Sequence, residues 1–286
     1  MMDYTAWRSS GERVRIAERD VFVRVAGEGP VLLFLHGFPT TSYDFEPVIT
    51  RLSARFRCVS FDFAGFGDSD PPARWDYDTQ TDLALAVAKH LGIVHAIVVA
   101  HDYGVSVAQE WVARQHEGAL SEASCRVDAV VFLNGGVEPA LHRPIPIQRL
   151  LAGPLGGLLA PLLIRRGTFV RSLARVLVQV ESFDAEEHWQ AVSARGSHRH
   201  AHEQLHYIAE RKRRRARWVG AFSDARIPIA LAWGEGDPVS GAHVLAWART
   251  QRPDAEVAAL PVGHYPQLEA PEEVAALIRR FAEKHR

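Results

Sequence analysis

Short runs of consecutive apolar residues recur along the chain and predict its sheet. Residues 31–35 are apolar throughout and end at His36 and Gly37, a pattern typical of a strand that is buried on both faces of a parallel sheet. Similar runs occupy 57–62, 96–100, 127–133, 227–233 and 256–260. Segments 81–91 and 104–116, which lie between such runs, have helical character. This alternation predicts an α/β fold with a mostly parallel central sheet and helices on both of its faces.

The alternation of strand and helix is interrupted by one long segment. Residues 138–220 contain no good strand pattern, and their helical stretches are broken by prolines and glycines. Because sheets of this kind bind ligands at the carboxyl ends of their strands, we expect the helical insertion to lie there as a cap. The predicted organisation is a core built from residues 1–137 and 221–286, with a cap formed by 138–220.

One turn combines a reactive side chain with small neighbours. Residues 98–104 pass from an apolar strand through Asp102 into a predicted helix, with Ala100 and Gly104 on either side. This arrangement matches the nucleophile elbow, usually written G-x-S-x-G, in which small residues let the strand and helix backbones approach closely. Asp102 stands in the position of the serine. The alternative interpretation is an aspartate that only caps the following helix.

The order of candidate residues along the chain favours the catalytic interpretation. A fold with this elbow orders its catalytic residues as nucleophile, acid and histidine. Asp237 and His264 each follow a predicted strand downstream of the insertion. The sequence therefore predicts Asp102 as the nucleophile, Asp237 as the acid and His264 as the base.

Several motifs together resemble one branch of the α/β-hydrolases. They are the loop His36-Gly37-Phe38-Pro39-Thr40, the turn Asp62-Phe63-Ala64-Gly65-Phe66-Gly67-Asp68, the elbow His101-Asp102-Tyr103-Gly104, and the segments Asn134-Gly135-Gly136, Arg217-Trp218-Val219-Gly220 and His264-Tyr265-Pro266-Gln267-Leu268-Glu269. The chain resembles the branch that contains epoxide hydrolases and haloalkane dehalogenases, and within it the group of vertebrate mesoderm-specific transcript proteins. The resemblance implies an α/β-hydrolase fold with an inserted helical cap.

An aspartate nucleophile predicts the type of electrophile. A carboxylate with a pKa of about 3.9 is ionised at neutral pH and needs no base to activate it. Attack on an acyl carbonyl would give a reactive anhydride, whereas attack on a saturated carbon gives an ester that water activated by His264 can cleave. The expected substrate is a small, apolar electrophile, and no cofactor or metal is expected. We expect the backbone N–H groups of Phe38 and Tyr103 to form the oxyanion hole.

The resemblance distinguishes the two leaving groups only in part. Haloalkane dehalogenases usually place a tryptophan directly after the nucleophile to bind the halide, and Tyr103 occupies that position. Epoxide hydrolases use cap tyrosines to protonate the opening ring, and Tyr207 is the tyrosine of the predicted cap. Tyr43 is a second candidate outside it. We also expect Trp189 and His36 near the substrate, with His36 shaping the oxyanion loop.

The sequence thus supports three functions in order of preference. Epoxide hydrolysis comes first, dehalogenation of haloalkanes or haloacids second, and ligand binding without turnover third. The identity of the acid also has an alternative. Several dehalogenases place it after an earlier strand, where this chain has the neutral Asn134 with Glu138 nearby, so Glu138 is the alternative to Asp237.

Composition narrows the classes of partner. The 286 residues are 47% hydrophobic and 23% charged, and the formal net charge is -1, which provides no general attraction for nucleic acid. We expect the basic run 211–217 to form a surface helix. Cys58 and Cys125 lie in or beside apolar runs and are expected to be reduced thiols. No apolar window is long and unbroken enough for a membrane span, so a soluble, cytoplasmic protein is expected.

Overall fold

The structure is a computed structural model that describes residues 2–143, 150–151, 153, 156, 160, 163–205, 207–224 and 226–285. The strands in these ranges are Glu12–Ile16 (β1), Arg19–Ala26 (β2), Val31–Leu35 (β3), Arg57–Phe61 (β4), His95–His101 (β5), Arg126–Leu133 (β6), Ile229–Gly234 (β7) and Glu256–Leu260 (β8). They form one sheet in the order β1-β2-β4-β3-β5-β6-β7-β8. β2 pairs antiparallel with β1 and β4, and the remaining pairs are parallel. The predicted α/β fold with a mostly parallel sheet is confirmed.

Helices connect the strands and cover the sheet. Within the described ranges they are Tyr4–Ser9 (α1), Glu46–Leu52 (α2), Tyr77–His90 (α3), Tyr103–His116 (α4), Arg166–Leu173 (α5), Ala185–Ser193 (α6), Ala201–Gln204 (α7), Tyr207–Arg213 (α8), Arg215–Ser223 (α9), Ala242–Gln251 (α10), Pro266–Glu269 (α11) and Pro271–His285 (α12). Among the described residues, none of the helices combines the length and apolar character needed to cross a bilayer.

The apolar runs of the sequence are apolar because both faces of the sheet are buried. Successive side chains of a strand point to opposite faces. Leu33 and Leu35 of β3 therefore join the core that contains Trp111 of α4. Leu32 and Phe34 join the core on the other face, where α2 and α12 pack. Each of these strand side chains is fully buried, which explains why β3 carries no polar position.

The chain between β6 and β7 contains the predicted cap. In its described part this insertion consists of α5 to α9 and short 3-10 turns, with no strand, while residues 144–149 and several of 152–162 lie outside the described residues. Phe169 and Leu173 of α5 pack with Val239 and Tyr265 in one apolar cluster. Val239 lies in the loop after β7 and Tyr265 in the loop after β8. The insertion therefore contacts the carboxyl edge of the sheet.

Close packing of α4 against β3 generates a first prediction. A Cβ on Gly104 would lie 2.3 Å from the carbonyl oxygen of Leu35. We expect Gly104→Ala to lower the free energy of unfolding by about 1–3 kcal/mol, because the backbone must shift to relieve this contact. Urea denaturation measures the change.

Gly220→Ala provides the matched control for that substitution. Gly220 lies within α9, and a Cβ there would meet open space. Alanine should therefore stabilise the protein by about 0.5–1 kcal/mol through its higher helix propensity. Equal stability of the two variants would contradict the close approach of α4 to β3.

Candidate active site

Asp102 occupies the turn between β5 and α4. Its backbone has φ 45° and ψ -102°, a region that residues with a side chain rarely adopt. Gly37 lets the loop after β3 approach this turn, since a Cβ there would lie 2.9 Å from the Cβ of Asp102. The backbone geometry therefore matches the strained strand-to-helix turn of a nucleophile elbow, and it directs the carboxylate to the carboxyl edge of the sheet.

The loops after β7 and β8 bring Asp237 and His264 to the same point. His264 Nδ1 donates a hydrogen bond to Asp237 Oδ2 at 2.7 Å. On its other side, His264 Nε2 lies 3.5 Å from Asp102 Oδ2. All three side chains are buried. The structure thus brings together the three residues that were predicted from chain order, in a line of carboxylate, imidazole and carboxylate.

The opposite charges in this line shift the three pKa values away from what burial alone would give. Burial raises the pKa of Asp102, but His264, His101 and the N–H of Phe38 together lower it well below its usual range. Burial lowers the pKa of His264, but Asp237 and Asp102 raise it above its usual value. At neutral pH the arrangement favours an ionised Asp102, which is the form that can attack an electrophile.

Asp237 is held by donors from its own loop and from β6. Its carboxylate accepts hydrogen bonds from Ser240 Oγ at 2.6 Å and from the N–H of Val239 at 2.7 Å. Asn134 Nδ2 donates to Asp237 Oδ2 at 3.0 Å. Burial raises the pKa of Asp237, but His264 and these donors lower it to about 2. In the sequence Asn134 is only a neutral residue where an acid could stand, whereas the pairing of β6 with β7 lets it support Asp237.

The loop that carries His264 is tied to the insertion. The backbone N–H of His264 donates to the carbonyl of Val176 at 2.8 Å. Glu269 accepts hydrogen bonds from the N–H groups of Gly263 at 3.0 Å and of Val178 and Gln179 at 2.8 Å. Sequence analysis missed this role of Glu269, although the residue belongs to a motif that carried the family resemblance.

Two backbone N–H groups converge on Asp102. The N–H of Phe38 donates to Asp102 Oδ1 at 2.8 Å. The N–H of Tyr103 begins α4 and has no acceptor among the described residues. These are the two groups that were expected to form an oxyanion hole. The first contacts the carboxylate directly, and the second belongs to the residue that follows Asp102.

Asp102 and His264 lie at the polar end of an apolar cavity of about 100 Å³. Phe38 and Tyr265 contribute from the core, and α5 and α7 contribute from the insertion. The apolar lining of this cavity consists of Phe38, Pro39, Phe66, Leu151, Leu163, Ile164, Phe169, Leu173, Val176, Val192, Ala201, Leu205, Val239 and Tyr265. An apolar cavity with a few polar groups suits a small organic molecule.

Comparison with known proteins assigns the chain to a family. A family model described as the alpha/beta hydrolase family matches residues 32–277. The chain belongs to this family. The putative hydrolase LipZ of Mycobacterium tuberculosis is 38% identical to this hydrolase over 94% of each chain. The mesoderm-specific transcript homolog protein of Homo sapiens is 34% identical, over 93% of this chain and 84% of its own, which confirms the predicted resemblance to that group.

A solved structure shares the fold of this chain. The epoxide hydrolase CorEH superimposes with a TM-score of 0.76, at 21% identity, over 96% of this chain and 99% of its own. At this level of identity the comparison shows the α/β-hydrolase fold.

Tyr207 packs against the two residues whose N–H groups lie next to Asp102. Its ring centroid is 5.8 Å from that of Phe38 and 5.6 Å from that of Tyr103. Its hydroxyl has no hydrogen-bond partner in the described part of the chain. Burial, followed by the charge of Asp102, raises the pKa of Tyr207 above its usual value, so the phenol stays protonated.

Three other residues that were considered near the substrate lie outside the cavity lining. Trp189 packs on Phe169, with centroids 5.6 Å apart, rather than on the cavity. His36 donates from Nδ1 to the carbonyl of Gly37 at 2.9 Å and accepts the N–H of Phe63 at Nε2. It therefore shapes the loop without facing the substrate. Tyr43 donates its hydroxyl proton to the carbonyl of Met2 at 2.6 Å.

Glu138, the alternative acid, is engaged elsewhere. Both of its carboxylate oxygens accept hydrogen bonds from Arg215, at 2.6 Å each. Arg214 and Arg217 of the same basic run also pair with carboxylates, including those of Asp78 and Glu110. The described residues include no group of three or more histidine, cysteine or acidic side chains arranged to hold a metal ion.

The pairing of His264 with Asp237 can be tested by titration. We expect Asp237→Asn to lower the pKa of His264 by about 1 to 3, because a neutral amide no longer favours the charged imidazole. NMR of the His264 ring against pH measures this value. Glu138→Gln is the control and should leave it unchanged. A pKa that falls in the control and not in Asp237→Asn would identify Glu138 as the partner.

Proposed function

We propose that this hydrolase opens an epoxide through an ester on Asp102 and then cleaves that ester with water. One observation carries the proposal. A buried, ionised carboxylate stands at a strained elbow, 2.8 Å from the N–H of Phe38 and 3.5 Å from His264, at the end of an apolar cavity. A carboxylate in this position suits attack on saturated carbon, because the product is a stable ester.

In the proposed first step, a carboxylate oxygen of Asp102 forms a bond to an epoxide carbon, and the ring C–O bond breaks. Tyr207 donates its proton to the released oxygen, which gives a hydroxyalkyl ester. The unpartnered hydroxyl of Tyr207 and the contacts of its ring with Phe38 and Tyr103 support this role. Tyr43 is not assigned this role, since its hydroxyl donates to the carbonyl of Met2.

In the proposed second step, water attacks the carbonyl of the Asp102 ester while His264 takes its proton. Esterification removes the negative charge of Asp102, which is one of two charges that raise the pKa of His264. The imidazole thereby becomes able to lose its proton and act as a base. The N–H groups of Phe38 and Tyr103 would stabilise the oxyanion. The proton that the imidazole gave up before acting as a base passes to the Tyr207 phenolate. On collapse the bond to the alkyl oxygen breaks, and that oxygen takes the proton of the added hydroxyl, which releases the diol and restores the Asp102 carboxylate.

The surroundings of Tyr103 favour an epoxide over a halide. The residue after the nucleophile would have to face the cavity to bind a departing halide. The ring of Tyr103 instead stacks on that of Tyr77, with centroids 4.6 Å apart, and also packs against Phe63 and Phe66. Dehalogenation therefore stays the second candidate, supported by the apolar lining of the cavity.

We also infer that residues 138–220 act as a cap over this site. The insertion supplies Phe169, Leu173 and Leu205 to the wall of the cavity. The hydrogen bond from the N–H of His264 to Val176 couples it to the proposed base. A wall of this kind would exclude bulk water while the ester forms.

The ester mechanism predicts a trapped intermediate. His264→Gln should react once and then stall, because attack by a carboxylate needs no base while release of the product does. After incubation with hexene oxide, mass spectrometry should find the full mass of the epoxide on the peptide that contains Asp102. With bromohexane the added mass should be only that of the alkyl group, so the two leaving groups are distinguishable.

Two further variants make the trapping experiment decisive. Asp102→Asn should form no adduct and show no turnover, because an amide is a poor nucleophile. Asp237→Asn should form the adduct and release it slowly, since His264 loses the partner that orients it. An adduct on another residue would sink the assignment. Adduct from bromohexane alone would make dehalogenation the preferred function, and no reaction with any probe would favour ligand binding without turnover.

The role of Tyr207 predicts a selective kinetic effect. Tyr207→Phe should slow formation of the ester from hexene oxide by about 10²-fold or more, the usual range for a positioned acid. Cleavage of an ester that has already formed should change little. Rapid mixing, followed by quenching and mass analysis, separates the two steps. Equal slowing of both would show that Tyr207 only supports the packing around Phe38.

A further inference from the structure

Arg211 is a buried cation without a carboxylate partner in the described part of the chain. Its side chain lies in α8 and is 2% exposed. Nη2 donates to the carbonyl of Gly136 at 2.6 Å, whereas Nε has no hydrogen-bond partner. Its neighbours in the basic run differ, because Arg214, Arg215 and Arg217 all form ion pairs.

An unpaired buried guanidinium is costly. Removing a charge from water costs several kcal/mol unless hydrogen bonds and an opposite charge compensate it. Glu138, which follows Gly136 by two residues, is fully engaged by Arg215 and therefore does not compensate Arg211.

The fold makes space for this guanidinium at Gly136. A Cβ on that residue would lie 1.0 Å from Nη2 of Arg211. A glycine is thus required for the guanidinium to reach its position after β6. The position is therefore built into the strand end rather than adopted by a loose surface side chain.

A second unpartnered nitrogen faces the same small cavity. Pro139, His142, Ile208, Arg211 and Lys212 line a space of about 60 Å³. His142 Nε2 is buried and has no hydrogen-bond partner among the described residues. Burial and the charge of Arg211 lower the pKa of His142 to about 3, so the neutral ring offers an N–H to an acceptor. The space suits a group of few atoms.

We propose that Arg211 and His142 form a binding site for a monovalent carboxylate beside the reaction centre. The planar guanidinium matches a carboxylate in shape and charge, and the imidazole N–H completes the coordination. Tyr207 lies one helical turn earlier in α8, and its ring is 5.8 Å from the guanidinium carbon of Arg211. The site does not depend on the proposed nucleophile, because its geometry involves neither Asp102 nor His264.

Binding of sodium acetate to the whole protein tests this site without turnover. Acetate at about one hundred times its Kd should raise Tm by about 5 °C or more. Sodium HEPES keeps the ionic strength constant, since its anion is too large for a space of about 60 Å³. Arg211→Met should abolish the rise. Without acetate it should match or exceed the Tm of the unmodified protein, because it removes an uncompensated charge.

Matched variants make the outcome decisive. Arg213→Met removes an exposed arginine from the same helix and should keep the full response to acetate. His142→Phe retains a ring but removes the donor, so it should weaken acetate binding by about 10-fold. If Arg211→Met fails to fold, the response of His142→Phe to acetate tests the site instead. No rise in Tm for the unmodified protein, or an equal rise in both site variants, would overturn the proposal.

The carboxylate can come from a free anion or from the substrate, and a second pair of probes distinguishes these sources. Glycidate and glycidol share an epoxide and differ in the carboxylate. If the substrate supplies it, Arg211→Met should raise KM for glycidate by about 10-fold or more and leave glycidol unchanged. If only the acetate response depends on Arg211, the ligand is a free carboxylate. The acetate result stands even if neither epoxide reacts.

Discussion

A charged line of carboxylate, imidazole and carboxylate inside the protein is the constraint on which the rest of the site depends. Each charge in it has been removed from water, and an unpaired buried charge costs several kcal/mol. Asp237 is stabilised by His264, Ser240 and Asn134. Asp102 is stabilised by the N–H of Phe38 and by His264. Loss of one partner therefore changes the protonation of the others, which is why the site behaves as a unit.

The parallel sheet explains how distant residues reach this line. Carboxyl ends of parallel strands meet at one edge, so the loops after β3, β5, β7 and β8 converge there. Close packing at Gly37 and Gly104 lets the loop and helix backbones approach the strained turn at Asp102. The strain at Asp102 persists because the surrounding sheet and α4 leave the turn no alternative path.

The insertion contributes two different features to the region around Asp102 and Tyr207, namely apolar side chains and a buried arginine. Its apolar side chains form most of the cavity wall beside Asp102. In its basic run Arg214, Arg215 and Arg217 pair with carboxylates, whereas the buried Arg211 has no such partner among the described residues. One inserted segment thus supplies both the apolar wall beside Asp102 and a buried guanidinium beside Tyr207. Glu269 connects this segment to the loop of His264.

The sequence by itself determined the sheet, the position of the elbow and the order of Asp102, Asp237 and His264, because apolar runs and strand-end motifs are local patterns. Only the tertiary structure decided which acid contacts His264. Asp237 and Glu138 both follow strands, but Asp237 contacts His264 and Glu138 contacts Arg215. The structure also showed that both ring nitrogens of His36 form hydrogen bonds with backbone groups of Gly37 and Phe63. No local sequence pattern encodes these contacts. The missing partner of Arg211 was hidden within a uniform basic run, because pairing depends on carboxylates from distant helices that meet only in the folded chain.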